Sequence, residues 1–231
     1  GKLPVGAFGD IEFETNRVQA EELVEKLTWL CVSPSDDIEV KLTFDVLGEG
    51  KPVQLTGWLT QSYQSGLVRF RSGRIRAQDY LAVWIDHLAM NAMGHQQCSH
   101  MVGYDRKEGA VHLTFSPLES AAAAHSTLAE LVRLFYQGMT TPLTYFPNTA
   151  LACVEAGFSR GNWADDEEKS LKKMADTFND SYLSHGEGAN AYIARIWPEW
   201  SDELAMQVRT LTALVLQAPR LAVKDNQELE K

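Results

Sequence analysis

Residues 38–46 have the sequence IEVKLTFDV, in which apolar and polar side chains alternate at every step. A period of two residues is typical of a strand with one buried side and one side facing solvent. Turns that contain glycine, at 48–50 and 65–66, separate this run from two further apolar runs at 53–59 and 67–71. Because short turns of this kind join neighbouring antiparallel strands, the three runs predict an antiparallel meander.

The apolar residues on either side of the meander have helical spacing, and a second strand-like alternation follows further along the chain. Apolar residues three and four apart predict helices over 17–30 and 77–93. Alternation returns over 98–104 and 110–115, and the polar residues between these two runs predict the turn of a hairpin.

From residue 118 onward the chain is predominantly helical. The expected helices cover 119–137, 148–156, 165–178 and 200–217. A polar, frayed tail is expected after Pro219. The predicted fold class is therefore α+β, a small mixed, largely antiparallel sheet flanked by helices, with a helical C-terminal extension. We expect a single domain over 1–231, with an αβ core in 1–118 and a helical part in 119–231.

Composition and charge exclude several classes of protein. The 231 residues carry 21 Lys and Arg against 31 Asp and Glu, which gives a formal net charge of -10. A general basic excess of the histone type is excluded, so any contact with nucleic acid needs a local basic patch. Three separated cysteines indicate a reducing compartment such as the cytoplasm. No apolar run has the length of a membrane span, and an opening at Gly1 without Met suggests a piece of a longer protein.

Four arginines form a local positive patch: Arg69, Arg71, Arg74 and Arg76. Arg69 and Arg71 are two residues apart and point to the same side of the third predicted strand. Guanidinium groups bind phosphate and carboxylate equally well. The patch is therefore either a seat for phosphate or an acidic partner, or a set of ion pairs with the chain's own acids. The residues alone leave both interpretations open.

Glu39 and Lys41 form an E-x-K pattern that superficially matches the PD-(D/E)xK signature of magnesium nucleases. One hypothesis is an active nuclease that uses these two residues and a further acid such as Asp45. In that chemistry the first acid lies across a neighbouring strand, whereas Asp37 and Glu39 stand on one strand edge. The clean alternation favours Glu39, Lys41 and Asp45 as the solvent-facing side of the first strand.

Residues 157–161 match the G-x-S-x-G pattern of serine hydrolases, with Ser159 as the nucleophile and His185 further along the chain. That elbow requires a buried strand before the first glycine and a helix after the second. The preceding residues, 148–156, are predicted to be helical, which favours an inter-helix turn with Gly157 at the end of a helix. A hydrolase centred on Ser159 is the least favoured hypothesis.

Histidine and cysteine alternate at His95, Cys98 and His100, and His87 lies close in sequence. A structural zinc site needs a fourth ligand at a recognisable spacing, and none is obvious. The interpretation that we favour is a strand with partly exposed histidines and a buried cysteine. We expect no metal or other cofactor in this chain.

The order of the segments resembles the RecB-family nucleases. The carriers are the run Leu55-Thr56-Gly57-Trp58-Leu59-Thr60, the run Leu67-Val68-Arg69-Phe70-Arg71-Ser72-Gly73, and the helix that follows at 78–93. Alignment of Gly57 and Gly73 with that family places its first metal-binding Asp at Thr60, its second acid at Arg69 and its catalytic Lys at Arg71. All three are replaced, so the resemblance implies a nuclease-like fold that has lost its active site. Arginines would also repel the Mg²⁺ that the reaction needs.

More specifically, the chain resembles the C-terminal domain family of RecC, the gamma chain of bacterial exodeoxyribonuclease V (RecBCD). The carriers, spread over nearly the whole chain, are Leu3-Pro4-x-Gly6-x-Phe8-Gly9, Gly57-Trp58-Leu59, residues 67–74, Trp84-Ile85-Asp86-His87-Leu88 and Pro142-Leu143-x-Tyr145-Phe146-Pro147. The resemblance implies a non-catalytic, structural and DNA-guiding module of a cytoplasmic helicase–nuclease in double-strand-break repair and recombination. Its implied partners are RecB, with RecD as a second candidate, and the entering duplex, while Mg²⁺ and ATP are used by other subunits.

Overall fold

The computed structural model describes residues 4–48, 50–159, 162–182 and 184–225, so Leu3, Arg160 and Gly161 lie outside the described residues. The elements up to residue 138 are α1 (Ala7–Leu30), β1 (Ile38–Phe44), β2 (Val53–Leu59), β3 (Ser62–Tyr63), β4 (Gly66–Phe70), α2 (Ala77–Ala92), β5 (Ser99–Asp105), β6 (Gly109–Phe115) and α3 (Ala121–Gly138). The later elements are α4 (Pro147–Ala156), β7 (Phe158–Ser159), β8 (Asn162–Trp163), α5 (Glu167–Phe178), α6 (Ala191–Ile196), α7 (Asp202–Thr212), α8 (Ala218–Ala222) and β9 (Val223–Asp225). Of the helices described, none is long and apolar enough to cross a membrane.

The chain divides into two compact units. The first comprises the described residues of 1–75, 83–130 and 223–231, and the second comprises those of 76–82 and 131–222. Sheets and helices both contribute, so the predicted α+β class is confirmed. The expectation that the whole chain acts as one domain, with its division near residue 118, stays a prediction.

The stretch that decides the fold forms the hairpin of β1 and β2. The two strands pair antiparallel, with Ile38 opposite Leu59 and Phe44 opposite Val53. Buried and exposed residues alternate along all of β1, as the period of two residues predicts. The ring of Phe44 stacks on that of His125 in α3 with 4.5 Å between centroids, and His125 Nε2 lies 3.0 Å from the Thr43 carbonyl oxygen. The buried side of the hairpin is therefore fixed by a helix.

The predicted three-stranded meander is wrong at its third strand. The five-stranded sheet has the order β3-β4-β5-β6-β9, and β1 and β2 form a separate two-stranded sheet. The strand β4 pairs in parallel with β5, and the helix α2 makes the crossover between them. Parallel strands need such a long connection. The alternation within a strand does not show which strand it pairs with, so the partner of β4 could not be predicted from it. Gly66 begins β4 at φ +122, where an added Cβ would lie 2.0 Å from the Cys98 carbonyl oxygen.

The core of the first unit lies between this sheet and the helices of the same unit. The C-terminal half of α1 places Leu23 against Val102 of β5 and Ala110 of β6. The helix α2 contributes Trp84 and Leu88, and both are buried. Apolar burial of this kind stabilises by about 1.5–3 kcal/mol for each large side chain. These contacts fix the five-stranded sheet that contains β4, the strand that carries Arg69.

The second unit is built around aromatic residues of its helices. Phe146, before α4, and Phe178, at the end of α5, are buried with their ring centroids 5.1 Å apart. Ser201 caps α7, since its side chain accepts the amide hydrogen of Leu204. The helices predicted over 148–156, 165–178 and 200–217 are present with shifted ends, and the last becomes a π-helical segment from residue 213.

The frayed tail predicted after Pro219 is wrong as far as Asp225. Helix α8 continues to Ala222, and β9 then pairs antiparallel with β6, with Val223 opposite Phe115. Val223 is buried, and this apolar contact supplies the order that three pairing residues alone would not. The remainder of the predicted tail, 226–231, lies outside the described residues.

Candidate functional site

Two of the three positions that the resemblance aligns with nuclease residues, Thr60 and Arg69, come together. Arg69 lies in β4, and its Nη1 donates a hydrogen bond of 2.7 Å to the main-chain carbonyl oxygen of Thr60, just after β2. Its Nε donates to Asp86 Oδ2 at 2.9 Å, and its Nη2 lies 2.9 Å from the same oxygen. The Arg69 side chain is 20% exposed and that of Asp86 is 32% exposed. A guanidinium is thus held between a carbonyl and a carboxylate.

This arrangement has the ligand types of a cation site, but the cation is part of the chain. Mg²⁺ is bound in proteins through carboxylate and carbonyl oxygens together with water. Here one carboxylate, that of Asp86, and one carbonyl, that of Thr60, already accept from Arg69. A divalent ion would have to displace a positive charge that is covalently fixed in place. The local chemistry is therefore that of an ion pair in which the Asp86 carboxylate is already occupied by Arg69.

The sequence pattern did not single out Asp86. It lies in α2, a helix whose neighbouring residues His87, Leu88 and Ala89 are buried. A lone acid in an otherwise apolar stretch of helix is a usable signal, because a partly buried carboxylate requires a donor or a cation as partner. What the sequence does not show is that the partner comes from β4, 17 residues earlier.

Arg71 follows β4 directly and is half-buried. Its main-chain N–H donates to the Val102 carbonyl oxygen at 3.0 Å, which extends the pairing of β4 with β5 by one residue. Its guanidinium lies beside Gly73, where an added Cβ would be 3.8 Å from Nη2.

The two remaining arginines of the predicted patch have different surroundings. Arg74 is 84% exposed, and its Nε lies 3.7 Å from Asp105 Oδ2. Arg76, which opens the second unit, has Nε and Nη2 each 3.2 Å from a carboxylate oxygen of Asp79 in the first turn of α2. The hydrogen bonds that Arg76 donates to the Asp79 carboxylate raise the pKa of Arg76. Arg69 and Arg76 are therefore tied to acids of their own units, and Arg74 is the most accessible of the three.

The E-x-K pattern lies on the outward side of β1, as the alternation predicts. Lys41 Nζ lies 2.7 Å from Glu39 Oε1, and the two side chains are 65% and 44% exposed. Asp45, after the end of β1, is exposed. Within the described ranges, no three His, Cys, Asp or Glu side chains gather where they could hold a metal ion. The acids needed by the active-nuclease hypothesis are thus not brought together in the described part of the chain.

The expected strand with partly exposed histidines and a buried cysteine is wrong in its burial, because His100 is buried, Cys98 is only half-buried and His95 is exposed. His87 is buried, with Nδ1 2.9 Å from Ser99 Oγ and Nε2 3.1 Å from the Ser116 carbonyl oxygen. Burial lowers the pKa of His87 to about 4. His100 is also buried, with Nε2 3.1 Å from the Ser65 carbonyl oxygen, and its pKa is lowered by burial. Both rings join β5 to neighbouring elements as neutral hydrogen-bonding groups.

The G-x-S-x-G segment follows a helix, as predicted. Helix α4 ends at Ala156, and the two-residue strand β7 pairs with β8 in a small hairpin. Gly157 is required by space, because an added Cβ would lie 2.3 Å from Trp163 Nε1. A nucleophile elbow needs a strand where α4 stands. His185 is 92% exposed and lies 3.6 Å from Asp180. The described residues on either side of 160–161 pair as β7 and β8 between α4 and α5, which is not the strand-to-helix setting of a hydrolase elbow.

A family model and curated relatives both match this chain. A family model described as the RecC C-terminal domain matches residues 1–158 of the chain. The chain belongs to the RecC C-terminal domain family. It is 29% identical over 225 residues to the RecBCD enzyme subunit RecC of Escherichia coli (strain K12), which covers 95% of this chain and 18% of that protein.

A second relative is the RecBCD enzyme subunit RecC of Buchnera aphidicola subsp. Acyrthosiphon pisum (strain APS). It is 26% identical over 199 residues, covering 84% of this chain and 18% of that protein. The RecC C-terminal domain described here therefore spans less than a fifth of the length of these curated relatives. The resemblance stated from the sequence motifs is confirmed.

Proposed function

We propose that this chain is a non-catalytic, structural and DNA-guiding module of a RecBCD-type helicase–nuclease, exodeoxyribonuclease V, in bacterial double-strand-break repair and recombination. The observation that carries the proposal is the Arg69 guanidinium, held by Asp86 and the Thr60 carbonyl at the positions where related nucleases bind metal. In this role the chain works in the cytoplasm and uses no cofactor of its own, while other subunits use Mg²⁺ and ATP.

The interior cation argues against hydrolysis by this domain. Cleavage of a phosphodiester with Mg²⁺ requires carboxylates that hold the metal and orient the attacking water. Arg69 and Arg71 stand where the second acid and the catalytic lysine are expected, and Asp86 is already paired. The function that remains for such a fold is to hold other molecules in place.

Exposed apolar side chains support a scaffolding role. In the N-terminal half of α1, Phe8, Ile11 and Phe13 are 78%, 64% and 58% exposed. A helical segment of this length is marginal in water unless a partner covers it. In the second unit, Phe135 and Met139 are 62% and 70% exposed. We assign the exposed apolar side chains of the second unit to contact with RecB, since exposed apolar surface typically marks a protein interface.

A cleavage assay tests the loss of activity. The 231-residue chain is incubated with a labelled blunt-ended duplex and Mg²⁺ or Mn²⁺, and the expected result is an uncut duplex at every pH. Cleavage that disappears in Glu39→Ala would overturn the proposal in favour of the E-x-K hypothesis. Glu39 is exposed on β1, so this substitution leaves the core intact.

Capture of purified RecB by the immobilised chain tests the scaffold. We expect Phe135→Asp and Met139→Asp, placed in one variant, to weaken capture at least tenfold, because a charged group replaces apolar contact. Tyr182→Asp is the matched control, since Tyr182 is fully exposed in the same unit. Equal capture by both variants would exclude this surface, and no capture by the wild type would overturn the scaffold assignment. The same capture experiment with purified RecD tests the second candidate partner.

A further inference from the structure

A groove of about 880 Å³ lies in the first unit between α1, the loop 72–74 and the turn at 104–108. The side-chain amide of Gln19 donates to the Ser72 carbonyl oxygen, which ties α1 to the loop. The main-chain N–H of Tyr104 donates to the Gly73 carbonyl oxygen at 3.0 Å, which ties the loop to β5. Three separate segments of the chain thus form one connected set of walls.

Three cations lie on the walls of this groove: Arg74, Arg106 and Lys107. The Arg74 side chain is 84% exposed, and its 3.7 Å separation from Asp105 is longer than a hydrogen bond. Arg106 and Lys107 are exposed in the turn between β5 and β6. Against these three cations the lining contains two carboxylates, those of Asp105 and Glu108. The lining residues therefore carry one excess positive charge in a chain of net charge -10, with the carboxylate of Glu22 next to the turn.

The turn that carries two of the cations is fixed before any ligand arrives. Asp105 Oδ1 accepts the main-chain N–H of Lys107 at 2.8 Å. Gly109 closes the turn at φ +78, and an added Cβ there would lie 2.7 Å from Glu22 Oε2. The same Glu22 oxygen accepts the N–H of Ala110 at 3.2 Å. Two acids near the groove therefore already hold the backbone, and ordering of the turn costs little on binding.

The remaining lining suits a nucleic-acid strand. Asn16 and Ser72 offer uncharged polar groups, and the aromatic residue Tyr104, half-buried against the core, also lines the groove. Exposed cations beside an aromatic ring are the usual means of holding a phosphodiester backbone and its bases without reading their sequence.

We propose that this groove binds the phosphodiester backbone of a nucleic-acid strand, with Arg74, Arg106 and Lys107 at the phosphates. The inference deepens the proposed DNA-guiding function and rests on it. It also moves the contact away from Arg69, whose charge is neutralised inside the unit by Asp86. The same chemistry is offered by a single strand and by the edge of a duplex, so the experiment must separate them.

The test is the binding of the 231-residue chain to a fluorescent single-stranded oligonucleotide and to the blunt duplex of the same sequence. The variant Arg74→Ala/Arg106→Ala/Lys107→Ala removes three positive charges from exposed positions. We expect it to bind at least about tenfold more weakly at about 50 mM salt, and its log–log salt dependence to fall by roughly 2–3, one for each lost phosphate contact. The substrate that loses affinity identifies the source of the phosphates.

The matched control is Lys169→Ala/Lys172→Ala/Lys173→Ala, which removes the same charge from exposed positions of α5. An equal loss in both variants would reduce the effect to net charge and overturn the inference. Unchanged binding by the groove variant alone would overturn it while leaving the DNA-guiding function in place. No binding of either nucleic acid by the wild type would overturn both. If the triple variant unfolds, Arg106→Ala/Lys107→Ala, confined to the turn, gives the same test.

Discussion

Arg69 and Arg74 lie five residues apart in one sequence patch, yet the structure gives them opposite surroundings. Arg69 is 20% exposed and is held by Asp86 and the Thr60 carbonyl. Arg74 is 84% exposed at the edge of a groove that also contains Arg106 and Lys107. The comparison teaches that a cluster of like charges in sequence divides its roles according to burial and partners. One arginine stabilises the fold, and the other remains available to a ligand.

The largest expected effect comes from restoring an acid at the buried position. Arg69→Asp replaces the ion pair by two adjacent carboxylates, which repel each other. We expect the free energy of unfolding in urea to fall by about 3 kcal/mol. Millimolar Mn²⁺ should recover part of this loss, because two carboxylates and the Thr60 carbonyl can bind a cation that stabilises the folded state.

Wild type provides the control for Arg69→Asp, since Mn²⁺ should leave its stability unchanged. If the variant is as stable as wild type, or if Mn²⁺ has the same effect on both, Arg69 does not occupy a former cation position.

The second-largest expected effect is a loss of folding stability at acid pH, because His87 is buried. Burial lowers the pKa of His87 from its ordinary 6.5 to about 4. The unfolded chain therefore takes up a proton first as the pH falls, so this stability is complete above pH 6.5 and is lost progressively towards pH 4. Between pH 6.5 and pH 5 the expected loss is about 2 kcal/mol.

Urea titrations at several pH values measure the effect of His87, with His87→Gln as the comparison. The variant should show a flatter pH dependence over this interval, although its overall stability is lower. His100, whose pKa is also lowered, adds a loss of the same sign that remains in both proteins. Equal slopes for the two proteins would contradict the assignment to His87.

Removal of the Asp86 carboxylate should lower the free energy of unfolding by less than the charge reversal in Arg69→Asp. Asp86→Ala leaves the partly buried Arg69 guanidinium with the Thr60 carbonyl but without its counter-charge. The expected loss is about 1–2 kcal/mol. The double variant Asp86→Ala/Arg69→Met should regain at least half of it, because no unpaired charge remains. A double variant less stable than Asp86→Ala would show that the pair itself is not what the fold requires.

The smallest expected effect concerns nucleic-acid binding near the exposed Arg74. Asp105→Asn keeps an oxygen that can accept the N–H of Lys107, so the turn is retained, but it removes a negative charge near Arg74. Binding to the oligonucleotide should strengthen by about threefold at low salt. Glu199→Gln, which removes one charge from an exposed position of the second unit, is the matched control. Equal strengthening by both would show that only net charge matters.

Much of the fold could be predicted from local patterns. The alternation in residues 38–46 fixed both the strand β1 and its buried side, since a period of two residues leaves only one choice of face. The helix α2 and the hairpin of β5 and β6 lie within one or two residues of their predicted bounds. The helical setting of Gly157 also followed from the apolar spacing before it.

Other features depend on contacts between distant residues. The parallel pairing of β4 with β5 and the order of β9 follow from packing, and no local period encodes them. The candidate site was predicted only in part. The resemblance to nucleases pointed to Thr60 and Arg69. It did not point to Asp86, which lies in α2 and pairs with Arg69 only in the folded chain.

The sequence by itself determined the α+β class and the family, because these depend on residue types at fixed spacings. Only the tertiary structure decided which arginine is neutralised and which is exposed. The reason is that the free energy of a charge depends on burial and on the nearest opposite charge, and both come from parts of the chain far away in sequence. Arg69 contacts Asp86 because the crossover helix α2 packs beside β4, and Arg74 lies near the turn at 105–109 because Asp105 ends β5.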